Sequence, residues 1–190
     1  LLVNAAKSLG NPVILNLLSW DNLTTKGKIN VEPDTFLSWG PIMSLEFRKL
    51  YPDYNTRIIN MGVPHFDLYF DSEKIQINRK TIFFGMSSPY FAPGEIDIVE
   101  QISNWIELDM LFFDKMIIRP HPQNVIGNMA DLNWIPRLKA LESLKILVDW
   151  PEVNLNSEVH WSVKKSDMYG LSKQIKSCGL VINSCSTISI

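Results

Sequence analysis

Lys115-Met116-Ile117-Ile118-Arg119-Pro120-His121-Pro122 is the stretch whose reading decides the fold. The apolar run Met116-Ile117-Ile118 reads as a buried strand, because a strand covered on both faces carries continuous rather than alternating apolar residues. Arg119 and His121 follow at its carboxyl end, where two prolines stiffen the chain into a polar corner. In an open α/β sheet that corner is where ligands bind. A second polar turn, Asn183-Ser184-Cys185-Ser186-Thr187, ends another apolar strand. Two such turns point to a site for a phosphorylated ligand.

Working outward, the pattern is strand, loop, strand, helix, strand, then a second α/β series. Val13–Leu18, Thr35–Trp39 and Arg57–Met61 read as strands. Ser19–Gly27 reads as a polar loop. Pro41 suits a helix's first turn, and Met43, Phe47 and Leu50 give that helix an apolar face. Residues 64–80 have no clear period and read as a connection. Thr81–Phe84, Lys115–Ile118, Leu144–Val148 and Leu180–Asn183 read as the strands of the second series. One helix carries Val99, Ile102, Ile106 and Met110 on one face, with Glu95, Asp97 and Glu100 near its start, where the macrodipole favours acids. Another carries Met168, Leu171, Ile175 and Cys178, with Ser166 or Asp167 as cap and Gly179 as stop. Between them a helical piece is expected near Ile135–Leu141. This alternation predicts a layered α/β architecture.

Composition sets limits on function. The chain has 190 residues, 46% hydrophobic and 20% charged, with a net charge of −2. Without clustered Lys and Arg, generic nucleic-acid binding is not expected. Cys178 and Cys185 form no metal pattern and no disulfide framework, which agrees best with a reduced, cytoplasmic setting. No apolar run reaches the roughly 18 residues of a membrane span, so any membrane association would be peripheral. Both ends read as interrupted helices, which predicts an internal piece of a longer protein.

Each candidate site residue has a functional and a plain reading. Gly85, Ser87 and Ser88 form a small-residue loop whose amides could approach an anion closely, or a tight turn with no ligand. His121 could donate to a phosphate oxygen or protonate a leaving group, or be a surface histidine in a stiff turn. Alternation places Arg119 on the same side as His121, but Arg119 is equally a partner for a buried carboxylate. Ser184, Ser186 and Thr187 suit a phosphate cradle at a helix start or plain capping. In the loop Ser19–Gly27, Asp21 could act as base or orient an acceptor hydroxyl, with Asn22, Thr24 and Lys26 beside it. The alternative is a self-bonded Asx turn. His65 and His160 lack partners at metal spacing, and Cys185 lacks a visible base.

Taken in order, the loop Ser19–Gly27, the segment Gly62-Val63-Pro64-His65-Phe66-Asp67, the turn Arg119–Pro122 and the pair Ser186-Thr187 resemble the GT-B type glycosyltransferases of bacterial surface polysaccharide synthesis. The set is also similar to the CDP-glycerol glycerophosphotransferases of teichoic-acid synthesis and, more loosely, to bacterial sialyltransferases. The resemblance implies two Rossmann-like domains facing a cleft. Residues 1–63 would end an incomplete acceptor-side domain, 64–80 would link, and 81–190 would form a truncated donor-binding domain. It implies that His121, Ser186 and Thr187 hold the donor phosphates; Arg119, Gly85, Ser87 and Ser88 join that set from the residue reading above. Asp21, Asn22, Thr24 and Lys26 would face a glycan or lipid-linked acceptor. Metal and cofactor are not expected, the donor being a nucleotide-activated sugar or alditol. The setting would be cytoplasmic, at the inner face of the plasma membrane or free of it, in capsule or teichoic-acid assembly. The piece alone should be inactive. Two rivals remain: an enzyme like UDP-N-acetylglucosamine 2-epimerase on the same fold, and a non-enzymatic scaffold in polysaccharide assembly.

Overall fold

The computed structural model describes residues 2–70, 75–126, 133–155 and 161–184. It is a mixed α/β protein with two separate parallel sheets and a small antiparallel hairpin. The chain divides into two compact units, Leu1–Asp67 and Leu68–Ile190.

The first unit runs α1 (Leu2–Ser8), β1 (Ile14–Asn16), α2 (Asn22–Thr25), β2 (Thr35–Ser38), α3 (Pro41–Leu50) and β3 (Arg57–Asn60). Its strands pair in parallel in the order β1-β2-β3. Pro41 opens α3, and Arg48 and Lys49 sit in its last turn, where the dipole favours them. Met43 and Phe47 are buried against Phe36, whose ring stacks on Phe47 at 4.4 Å. Leu50, expected on that face, is exposed, and Tyr51 takes its place. The helix stops there, so Tyr51 can turn its ring onto Phe47 and accept from Ile29 N–H at 2.9 Å. The expected loop Ser19–Gly27 contains the one-turn helix α2, closed by Leu23 burying into this core.

Residues 64–80, read from the sequence as a connection without a clear period, hold parts of two elements. Pro64–Phe70 is a 3-10 helix, and β4 begins at Asn78. The second unit continues β4 (Asn78–Gly85), α4 (Glu95–Glu107), β5 (Lys115–Arg119), α5 (Pro122–Val125), α6 (Trp134–Leu141), β6 (Ile146–Val148), β7 (Val153–Leu155), β8 (Trp161–Val163), α7 (Lys165–Ser177) and β9 (Cys178–Asn183). Four strands form a parallel sheet in the order β6-β5-β4-β9. β4 is its centre, with Thr81–Gly85 buried throughout. Ile82, Phe84, Met116, Ile118, Ile146 and Val148 pack with Ile96, Val99 and Ile106 of α4 and with Trp134 and Leu138 of α6. Met110, expected on α4, lies beyond its end and is exposed.

Cys178 and Gly179 open β9 rather than close α7. A Cβ at Gly179 would lie 2.3 Å from the Arg79 carbonyl oxygen, so only glycine lets β9 approach β4 there. Among the described residues no helix is long and apolar enough to cross a membrane.

Candidate functional site at the carboxyl edge of the second sheet

The register aligns the strand ends. Gly85 of β4 lies opposite Arg119 of β5 and Asn183 of β9, and Ile118 lies opposite Val148. The polar turns therefore leave the sheet on one edge. From β4 the chain moves to β5 and β6 on one side, then returns to β9 on the other. The strand order thus reverses at the β4/β9 boundary, the position where open α/β sheets bind ligands.

Three residues close that boundary. Glu95, the first residue of α4, is 3% exposed. Its Oε2 accepts from Ser87 N–H at 2.7 Å, and its Oε1 accepts from Ser184 Oγ at 2.6 Å. The Ser87 and Ser184 hydroxyls meet at 2.9 Å. The ring joins the β4 loop, the end of β9 and the start of α4. Burial pushes the Glu95 carboxyl above its ordinary value, against the downward pull of the two hydrogen bonds. The loop expected to cradle an anion already holds one, the protein's own. Met86 N–H is likewise spent on Arg119 O at 2.9 Å. Glu95 was legible only as an acid near a helix start, since its partner Ser184 lies 89 residues away.

Arg119 takes the structural side of its two readings. It is buried, with Nη1 donating to Asp149 at 2.6 Å and Nη2 to Asp167. Asp167 also accepts from Glu152 N–H at 3.0 Å, so it ties the first turn of α7 to the chain between β6 and β7 rather than capping that helix. One guanidinium between two carboxylates leaves no net positive charge for a phosphate, which removes Arg119 from the expected phosphate ligands.

His121 lies between. It caps the short α5, with Nδ1 accepting from Gln123 N–H at 3.1 Å. In the neutral ring the proton is then on Nε2. Burial pushes its pKa down. A neutral imidazole is a hydrogen-bond donor, not a ready proton source, so the expected general-acid role gives way to a donor role. Asn124 on α5 reaches the β4 loop, its Nδ2 donating to Ser87 O at 3.1 Å, while its buried Oδ1 has no partner. Ser88 lies in the same loop and is buried. Cys178 is a buried thiol. Ser186, Thr187, Cys185 and His160 lie outside the described residues.

In the first unit Asp21 forms the self-bonded turn. Its carboxylate accepts from Ser19 Oγ and from Thr25 Oγ1 at 3.1 Å, and its carbonyl accepts from Thr24 N–H at 2.9 Å. The Ser19 hydroxyl, above all, holds its pKa below the ordinary value. That makes it an ionised hydrogen-bond acceptor and a weak base. Asn22 and Thr24 lie on α2, and Lys26 caps it. Sequence reading missed a second polar cluster in this unit: Asn60 Oδ1 accepts from Ser38 Oγ at 2.7 Å and from Ser44 Oγ at 2.5 Å.

Among the described residues no group of three or more His, Cys, Asp or Glu could hold a metal ion. The chain matches no family model, no curated protein and no solved structure.

Proposed function

We propose that this chain carries the donor-binding part of a GT-B type transferase, which moves a glycosyl or alditol-phosphate group from a nucleotide-activated donor to a surface-glycan acceptor. The observation that carries the reading is the reversal of strand order at β4/β9, with His121, Ser87 and Ser184 brought to the same edge. On this reading Nε2–H of His121 donates to an oxygen of the leaving phosphate and stabilises the charge that develops there. Arg119 holds β5, β6 and α7 in place and touches no substrate. Asp21 receives a hydrogen bond from the acceptor hydroxyl and orients it.

Isothermal titration with CDP, CMP and UDP tests the reading. One of them should bind, and His121→Ala should weaken it about tenfold to a hundredfold, as expected for the loss of roughly 1.5–3 kcal/mol from a hydrogen bond to a charged group. Unchanged affinity with the fold intact would remove His121 from the site.

A further inference from the structure

Tyr90 and Phe91 stand out in solvent beside the candidate site. They lie in the loop that leaves β4 at Gly85 and enters α4 at Glu95, and so on the carboxyl edge of the second sheet. They are 70% and 71% exposed, and their rings meet edge to face, with centroids 5.1 Å apart and planes at 87°. Aromatic rings left in water forgo the burial that is their largest contribution to stability.

The loop holds them there. Ser88 is buried, and its carbonyl accepts from Phe91 N–H at 3.0 Å and from Ala92 N–H at 3.1 Å. Its hydroxyl accepts from Tyr90 N–H at 3.4 Å. Ala92 O accepts from Glu95 N–H at 3.1 Å, which ties the far end of the loop to α4. Pro89 and Pro93 bracket the pair and fix φ on either side. The rings are presented by a stiff, anchored turn, so a partner need not order the backbone to meet them.

The chemistry around the rings selects the partner. From Thr81 to Asp114 the chain has no Lys, Arg or His. The acids of α4 near the loop are engaged, Glu95 by Ser87 and Ser184, and Asp97 and Glu100 by Arg137. A phosphate or an anionic lipid surface finds no counter-charge on this segment. What the loop offers is two ring faces, the Tyr90 hydroxyl, and the carbonyls of Pro89, Tyr90 and Phe91, which receive no hydrogen bond among the described residues. A neutral ligand with an apolar face and hydroxyl donors at its rim matches that set. A pyranose ring has both, since its axial C–H groups cover one face and its hydroxyls point outward.

We propose that Tyr90 and Phe91 form a subsite for a neutral sugar ring of the acceptor glycan, its C–H face against the aromatic corner and its hydroxyls donating to the loop carbonyls. The proposal rests on the transferase reading above and adds to it. The resemblance places the acceptor beside Asp21 and assigns no saccharide contact to this loop.

The test is isothermal titration of the full chain with cellotetraose, maltotetraose and chitotetraose, and separately with CDP and UDP, in the wild type, Tyr90→Ala, Phe91→Ala, Phe91→Leu and Phe91→Trp. Both rings are exposed, so the variants should fold, and thermal unfolding checks that they do. At least one tetrasaccharide should bind the wild type at millimolar concentration. Tyr90→Ala and Phe91→Ala should each weaken it about tenfold. Phe91→Leu, which keeps an apolar side chain and loses the ring face, should weaken it as much, and Phe91→Trp should keep it. Nucleotide affinity should be the same throughout. No tetrasaccharide binding at that concentration, or binding that survives both alanine substitutions, would overturn the proposal, and the donor reading would stand if a nucleotide binds. Nucleotide affinity lost with the rings would also overturn it, and assign them to the base. So would a chain that sediments as a dimer and becomes a monomer in Phe91→Ala, since a second copy would then cover the rings. If a tetrasaccharide binds and neither nucleotide does, the donor reading falls while the sugar subsite stands.

Discussion

The two units close the carboxyl ends of their parallel strands with the same device built from different chemistry. In the first, the hydroxyls of Ser38 at the end of β2 and Ser44 in α3 meet the side-chain amide of Asn60 at the end of β3. In the second, Ser87 after β4 and Ser184 after β9 meet the carboxylate of Glu95 in α4. Both tie two adjacent strand ends to a helix. The neutral version leaves hydrogen direction open: Ser38 Oγ lies 2.7 Å from both Ser44 Oγ and Asn60 Oδ1, and either hydroxyl can donate to the other. The charged version fixes every direction, because a carboxylate only accepts. An amide would serve for packing alone. A buried carboxylate costs desolvation, and what it adds is polarity, a wall of defined hydrogen-bond character at the strand-end edge where open α/β sheets in general bind ligands.

The largest expected effect lies in the second unit's other charged cluster. Arg119→Ala leaves Asp149 and the buried Asp167 uncompensated and should cost about 3–5 kcal/mol in denaturant unfolding. A loss below about 1 kcal/mol, the size of a surface pair, would show that the pair is not desolvated. The two clusters themselves come next. Glu95→Ala, read at a pH below the folded value of Glu95, should cost roughly 1–3 kcal/mol because it leaves the buried Ser87 N–H without its acceptor, and Asn60→Ala about 1 kcal/mol, the scale of a neutral hydrogen bond. Equal losses would mean that the Glu95 cluster holds its sheet edge no more firmly than the Asn60 cluster.

The smallest effects are in pH dependence, where the units should differ in sign. The folded value of Glu95 is raised above 4.5. Its contribution is complete below that ordinary value and is lost as pH rises through the folded value, so Glu95→Gln should flatten a fall in stability over that window. The folded value of Asp21 is lowered below 3.8. Its contribution is present above 3.8 and is lost as pH falls through the folded value, and Asp21→Asn should remove that acid-side loss. Potentiometric difference titration of wild type against each variant reads both signs, and the same sign for both would break the comparison.

The central strands were legible because burial on both faces makes them continuous apolar runs, as in Ile82-Phe83-Phe84 and Met116-Ile117-Ile118. The antiparallel pair β7/β8 was not, since Val153-Asn154-Leu155 and Trp161-Ser162-Val163 are short and each is broken by a polar residue, so neither makes a continuous apolar run. The end of α7 was misplaced because Gly179 signals a helix stop locally, while its actual constraint is the distant backbone of Arg79. At the site, strand-end position revealed Arg119, His121, Ser87 and Ser184. Their roles depended on partners chosen by the tertiary fold. Arg119 finds Asp149 and Asp167 at separations of 30 and 48 residues. Nothing local to Glu95 announces that it will turn a loop of amides from an anion cradle into an occupied one.

The central claim is that a nucleotide binds at the carboxyl edge of the second sheet. Backbone amide NMR of the ¹⁵N-labelled chain, titrated with UDP and with CDP, reads this residue by residue. The account predicts saturable shifts for one of them, concentrated at the amides of Ser87, Ser88, Gln123 and Ser184, with those of Phe36 and Phe47 in the first unit's core unmoved. Shifts confined to the first unit, or none at millimolar nucleotide, would contradict it.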